Sequence, residues 1–333
     1  MLFFWKSNQT ADHSFGGRIS MSSYMVFDSH CDTPYELWLR GQRFDRTDCQ
    51  VSLQRAEMLP AYAQFFAFCT LPGKKNRYTY EELFYLPYRE FVRQIELFSD
   101  RISLCRNGVE MERSIQEGKI AAFLSLEGAE GIGCDPGRLD ELAEMGIRMV
   151  NLTWNADNAL AGCSYRNGGG LTAQGREFVR KAQRLGILID VSHISDRAFF
   201  DIMDITERPV VASHSNSRSL CGHSRNLTDE QYRLLCETGG YAGINLYTAF
   251  LSASGKADFE TIYAHMDHFL QLGGEHVALG GDLDGCDSLA TGFTGVNDYE
   301  KLANFLKMKK YSEEMIQNIF SNTIKKVVTL CTM

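Results

Sequence analysis

The sequence predicts an α/β fold, a (β/α)8 barrel of the TIM type, on three observations. Eight short apolar runs, many of them rich in β-branched or aromatic residues, recur along the chain from residue 24 onward. Amphipathic stretches with helical spacing separate them. The runs are apolar on both faces, as parallel strands covered by helices must be. A doubly wound open sheet is the alternative that the same alternation allows.

The predicted strands are YMVFDSH (24–30), AYAQFFAF (61–68), KIAAFLSLE (119–127), IRMVNLTW (147–154), ILIDVSH (187–193), PVVASH (209–214), GYAGINLY (240–247) and HVALGGD (276–282). Between them EELFYLPYREFVRQIELF, GRLDELAEM, AQGREFVRKAQRL, DRAFFDIMD, TDEQYRLLCET and DFETIYAHMDHFLQL read as helices. Their ends carry the expected signals: Thr172 precedes one helix and Gly186 follows it, and Gly146 ends another. Residues 1–23 turn polar after the first five and carry a Gly pair, so they are expected to be a disordered leader or a non-native extension, with Met21 and Met25 as candidate true starts. Nothing resembling a linker or an internal repeat follows, and residues 24–333 are expected to form a single catalytic barrel domain.

Composition narrows the function. The 333 residues carry 34 Lys+Arg against 42 Asp+Glu, a formal net charge of −8, and no basic run that would mark a nucleic-acid or anionic-membrane partner. No stretch approaches the roughly 18 apolar residues of a membrane span, and MLFFWKSNQT is too short for a signal-peptide core. The 10 cysteines include no CxxC pair and read as scattered reduced thiols of a cytoplasmic protein, none placed where a metal site would need a ligand.

The informative residues stand at the strand ends, which converge on one open face in an α/β barrel. His30 and Asp32, two apart in DSHCD, share a side and offer an imidazole nitrogen and a carboxylate oxygen suited to Zn²⁺, while Cys31 faces away. Glu127 closes FLSLE before Gly128; its carboxylate can bridge two cations or serve a turn, and Glu130 competes for that role. His193 and His214 close two consecutive strands in equivalent positions. Asp282 closes the last strand, where a carboxylate beside a metal-bound water can accept and return a proton, and Asp284 follows either on the same face or as part of a Gly-Asp turn. Together these residues supply ligands for two metals with one acid to spare. His223 reads as a loop residue, and His265, His268 and His276 as solvated residues on or after a late helix. EGAEGIG lacks the spacing of a nucleotide-binding glycine loop.

With these pieces in place, the sequence resembles the renal (membrane) dipeptidase family of zinc metallopeptidases, within the amidohydrolase-like, metallo-dependent hydrolase barrels. The matching segments are FDSHCD, LSLEGAEG, GLTAQGREFV through RLGILIDVSH, PVVASHSNSRSLCGHSRNLTDE and ALGGDLDG, in family order over about residues 24 to 325. The resemblance implies that His30 and Asp32 bind one zinc, that His193 and His214 bind a second, and that Glu127 bridges them. It implies that Asp282 is the catalytic acid/base and that Arg225 holds the substrate's terminal carboxylate, a task suited to the guanidinium fork. The implied reaction is hydrolysis of a small dipeptide by a metal-bridging hydroxide, with homodimerisation and tolerance of a C-terminal D-residue as further implications. Other divalent transition metals suit the same N/O donors.

One position departs from the pattern. Animal members carry a substrate-contacting histidine where this chain has Trp154, whose indole can donate one hydrogen bond but cannot become cationic. Either the metals carry more of the oxyanion stabilisation, or Asn155 or Asn158 helps, or Trp154 is simply pocket wall. The substitution leaves room for a related amidohydrolase acting on an N-acyl amino acid or cyclic amide. A metal-binding protein without catalysis is the reading from another class, and the intact Asp282 argues against it.

Overall fold

The computed structural model describes residues 24–70, 78–166 and 168–332. The expected leader, residues 1–23, lies outside the described residues. Among the described residues nine parallel strands are present: β1 (Val26–Cys31), β2 (Tyr62–Cys69), β3 (Ile102–Leu104), β4 (Ile120–Glu127), β5 (Ile147–Asn151), β6 (Leu188–Asp190), β7 (Val210–Val211), β8 (Ala242–Ile244) and β9 (Val277–Leu279). All but β3 follow one another in the order β7-β6-β5-β4-β2-β1-β9-β8. A parallel bridge between Ala212 and Ala242 joins the two ends and closes the barrel. Each of the eight predicted strands is present, though most are shorter than predicted, because the chain leaves the ladder early to present its polar ends. The three-residue β3 pairs with β4 off the barrel path and was too short to read from sequence.

Helix boundaries follow local chemistry. The helix Tyr80–Leu97 starts at a reciprocal capping box between Thr79 and Glu82, and Asp229–Glu237 starts at one between Thr228 and Gln231. Thr172 caps the helix Ala173–Arg184 through Gly175 N, and Gly146 ends Leu139–Met145 in the left-handed conformation that glycine adopts without strain.

Period-two alternation sorts the strand residues into two cores. Outward residues such as Val26, Phe66, Phe68, Leu124 and Leu126 pack under the helices. Inward residues Phe27, Ala63, Phe65, Phe123, Met149, Leu188, Val211, Tyr241 and Ala278 fill the barrel with Ile324, Val327 and Val328 of the C-terminal helix Thr323–Cys331. The rings of Phe27, Phe65 and Phe123 stand 5.1–5.9 Å apart and plug the lower barrel, leaving the upper end for polar groups.

Strict alternation in β1 would send His30 away from this interior, because Phe27 and Ser29 both point inward; Ser29 Oγ donates to Ser213 O and Leu279 O across the barrel. The β1–β2 register shifts between Asp28 and Cys31, and that bulge re-aims His30 into the barrel mouth.

Candidate metal centre

Six side chains from five strands meet at the barrel mouth. His30 lies in β1 with Asp32 just past its end, Glu127 is the last residue of β4, and His193, His214 and Asp282 stand three residues beyond β6, β7 and β9. All six are buried. Glu127 Oε1 is the hub: it stands 2.9 Å from His193 Nε2, 3.5 Å from His214 Nε2 and 3.7 Å from His30 Nε2. His30 Nε2 is 3.5 Å from Asp32 Oδ2 and 3.9 Å from Asp282 Oδ1, and the two other histidines approach Nε2 to Nε2 at 2.9 Å. The residues that the sequence singled out as ligands and acid are therefore brought together, with Cys31 packed into the outer core as expected.

The surrounding structure turns these groups toward one point. His214 Nδ1 lies 2.6 Å from Ser213 Oγ, whose own proton goes to Asp190 Oδ2, so the imidazole donates from Nδ1 and presents a bare Nε2. His193 Nδ1 lies 2.8 Å from Asn155 Oδ1, which fixes the same tautomer. Asp282 Oδ2 accepts from Asn245 Nδ2 at 2.9 Å. His193 and Asp282 hold φ of 71° and 56°, left-handed values uncommon outside glycine and concentrated at functional sites. Gly280 is required just before Asp282, because a Cβ there would stand 1.9 Å from Ser213 O.

The donor set fits a metal. His30 Nδ1 and Nε2 and Asp32 Oδ1 are buried without a hydrogen-bond partner, a costly state that a cation among them would relieve. Two bare imidazole nitrogens and a carboxylate crowded within hydrogen-bonding distance make an N/O set suited to zinc. Electrostatics agree in sign. Burial pushes Glu127 up to about 8 and Asp282 up to about 6. Burial opposes charge on His30, but Glu127, Asp32 and Asp282 outweigh it and hold the imidazole up at about 10. Burial, with the positive charges of His30 and Arg225 nearby, keeps His193 and His214 well below the usual histidine range, neutral and ready to ligate. Ser213→Ala removes the group that aims His214 and should weaken metal binding by roughly 10- to 100-fold with the fold retained, as read by chelator competition.

The centre opens into a cavity of about 520 Å³ whose walls include Tyr35, Trp154, Tyr165, Tyr247 and Phe250. Trp154 is half-buried with its ring 6.3 Å from that of His193. Arg225 is buried, not a surface cation: its guanidinium carbon sits 5.4 Å over the Phe250 ring, it makes only 3.4 Å contacts to Ser215 Oγ and His214 O, and its Nε has no partner. Asp284 accepts from Thr33 Oγ1 and the backbone of Gln50 and Val51, so it anchors a loop. Asn158 ties Glu130 to Leu152 O and does not reach the centre.

Three expectations are corrected. His265 is buried, not solvated: Nδ1 accepts from Ser217 N and Nε2 lies 2.9 Å from Leu251 O, which binds the Arg225 loop to its neighbouring helix. His268 and His276 are half-buried, contacting Asp229 and Gly240 O respectively. Cys69, at the end of β2, is not remote from the centre, for its sulfur and one carboxylate oxygen each from Asp32 and Glu127 lie within 4.8 Å of one another. Sequence reasoning stopped that strand at Phe68; counting two on from Phe65 and Ala67 places Cys69 inward. The supports Asn245, Asp190 and Ser213 were also missed, and only a lone Asp within the apolar run ILIDVSH pointed to them.

A closed parallel barrel with imidazoles and carboxylates gathered at its C-terminal mouth defines a metallohydrolase. Comparison with known proteins makes this specific: the chain belongs to the membrane dipeptidase family, peptidase family M19, whose sequence model matches residues 18–330. It is thus a zinc-dependent metallopeptidase of the dipeptidase type. A Klebsiella pneumoniae protein encoded in the pqqA 5′ region is 33% identical over 231 residues, covering 66% of this chain and 85% of that protein. Among solved structures, a Rhodobacter sphaeroides metallo peptidase liganded with a phosphinate mimic of L-Ala-D-Ala superposes with a TM-score of 0.85 at 23% identity, over 93% of this chain and 100% of that one. The dipeptidase AC, also of family M19, gives a TM-score of 0.85 at 24% identity over 93% and 99%. No helix among the described residues is long and apolar enough to cross a membrane.

Proposed function

We propose that the centre holds two zinc ions and hydrolyses the peptide bond of a free dipeptide. The observation that carries this reading is the convergence of His30, His193 and His214 on Glu127 Oε1, with Asp32 closing one side. His30 and Asp32 would hold one ion, His193 and His214 the other, with Glu127 shared between them. When bound, two such cations would supply a water activated near neutral pH and a Lewis acid for the scissile carbonyl.

This chain's own residues do the rest. Asp282 Oδ1 faces the cluster while Asn245 holds Oδ2, so one carboxylate oxygen is free to take the proton of the attacking water and return it to the leaving amine. Burial that raises its proton affinity suits a group that must both accept and donate. Arg225, buried with an unpartnered Nε, pairs with the dipeptide's terminal carboxylate and sets the substrate's length. The enclosed cavity is of a size for a small molecule. Trp154 contributes wall and one N–H donor in place of a cationic group. The ten free cysteines support a cytoplasmic location.

Metal analysis with activity tests the reading: two zincs per chain with dipeptide cleavage are expected, and bound metal without turnover on any dipeptide would remove it. Arg225→Met should lower kcat/KM by roughly 10- to 150-fold, the worth of a hydrogen bond to a charged group, through KM, while a dipeptide C-terminal amide is cleaved equally by both proteins. An unchanged preference for the free carboxylate would clear Arg225 of that role.

Stability should report the same centre. Glu127 and His30 have raised pKa values in the folded protein, so their contribution to metal-free stability is present below the unfolded values and is lost as pH rises through about 8 and about 10. His193 and His214, depressed, contribute above the usual histidine value and lose that contribution as pH falls below it. Metal-stripped protein should therefore melt highest near pH 6–7, and the gain in Tm on adding zinc should grow from pH 6.5 to 9 in thermal scans.

A further inference from the structure

Cys69 stands at the metal centre, and the proposed mechanism leaves it without a task. It ends β2 directly beside the end of β4, where its Cα pairs in register with that of Glu127, and Thr70 N closes the junction on Glu127 O. It is buried and its side chain faces the Glu127 carboxylate. The donor atoms of Asp32, Cys69 and Glu127 lie within 4.8 Å of one another. One zinc would draw these three donors closer together, to Zn–S of about 2.3 Å and Zn–O of about 2.0–2.2 Å. Beside them, buried Asp32 Oδ1 and His30 Nε2 have no hydrogen-bond partner, an independent sign that this corner is built for a cation.

We propose that Cys69 is a metal ligand: its sulfur joins Asp32 and Glu127 around one cation, at the position that His30 flanks. This rests on reading the cluster as a metal centre. The thiol proton leaves to solvent as the metal binds, as every thiolate site requires. His193, His214 and Glu127 would serve the second position, which has no sulfur, so the two positions differ in donor type. A thiolate biases its position toward zinc or cobalt over manganese and magnesium.

Cobalt(II) reads ligation without reference to turnover. Cobalt-loaded protein should show visible ligand-field bands from bound metal and, in addition, the near-ultraviolet sulfur-to-cobalt charge-transfer band that thiolate ligation alone produces. Cys69→Ser and Cys69→Ala should lose the charge-transfer band, keep the visible bands, and bind cobalt at least about tenfold more weakly. Visible bands without charge transfer in the unmodified protein overturn the proposal and leave the metal centre intact, with Cys69 reduced to a hydrogen-bond donor to Glu127. A charge-transfer band that survives in Cys69→Ser also overturns it and points to Cys286, the other thiol on the cavity wall. Failure of the unmodified protein to retain any cobalt or zinc removes the metal-centre reading itself. The first measurement needs no variant, so misfolding of either substitution leaves the test decisive.

Discussion

Asp282→Asn should lower kcat by about 10²- to 10⁴-fold while leaving zinc content and melting temperature close to those of the unmodified protein. The expectation follows from how the residue is held. Asn245 fixes one oxygen, and the other faces His30 at 3.9 Å, within the cluster yet at its edge. Asparagine keeps the shape, can turn its carbonyl toward Asn245, and tolerates the left-handed backbone at φ 56° better than alanine would. What it loses is the ability to carry a proton from water to amine. Zinc analysis beside the kinetics separates the roles. If the variant is inactive because it has lost zinc, Asp282 is a ligand, a role the compact grouping of His30, Asp32 and Asp282 also permits. If kcat is unchanged, the proton passes elsewhere.

Glu127→Gln should have the largest effect on the centre as a whole. The carboxylate oxygen lies within 4 Å of all three imidazoles, and on the proposed reading it carries the negative charge that both cation positions would share. Glutamine fills the same volume, so no cavity opens, but the amide is a poor bridge. Metal affinity should fall by at least about 100-fold, and dipeptide cleavage should drop to background. Stability should fall with it: metal at a hundred times its dissociation constant stabilises the folded state by about 2.7 kcal/mol, so the variant should melt roughly 5 °C or more below zinc-loaded protein. Chelator should not lower its melting temperature further. A variant that keeps two zincs and its Tm would show that Glu127 is not the bridge.

Much of this centre was legible because barrel geometry converts strand ends into neighbours. Glu127, His193 and His214 needed only that rule. His30 was singled out by its pairing with Asp32, and the two do stand side by side, yet the register shift between Asp28 and Cys31 that aims His30 has no sequence signature of its own. Cys69 was passed over because a cysteine at the end of an apolar run reads as core, and its chemistry appears only when β2 and β4 are laid in register. His265 was misread for the opposite reason: a histidine on an amphipathic helix reads as solvated unless the loop that buries it is known. Arg225 had no geometric signal in the sequence, and its motif alone singled it out. Of the polar supports, Asp190 was marked only as a lone Asp in an apolar run and Ser213 not at all, because a hydrogen-bond relay is a property of two strands together.

The closure of the barrel also sets a timetable for its synthesis. β1, which carries His30, pairs with β9 near the other end of the chain, and Gly281 N reaches back to Asp28 across 253 residues. At ribosomal rates of about 5–20 residues per second, roughly 10–50 s separate the emergence of His30 from that of Asp282. His30 and Asp32 therefore wait without their partners through most of translation. On the proposed reading, capture of the full metal complement becomes a late event, coupled to the last strand's docking, and zinc enters a finished barrel rather than a nascent chain.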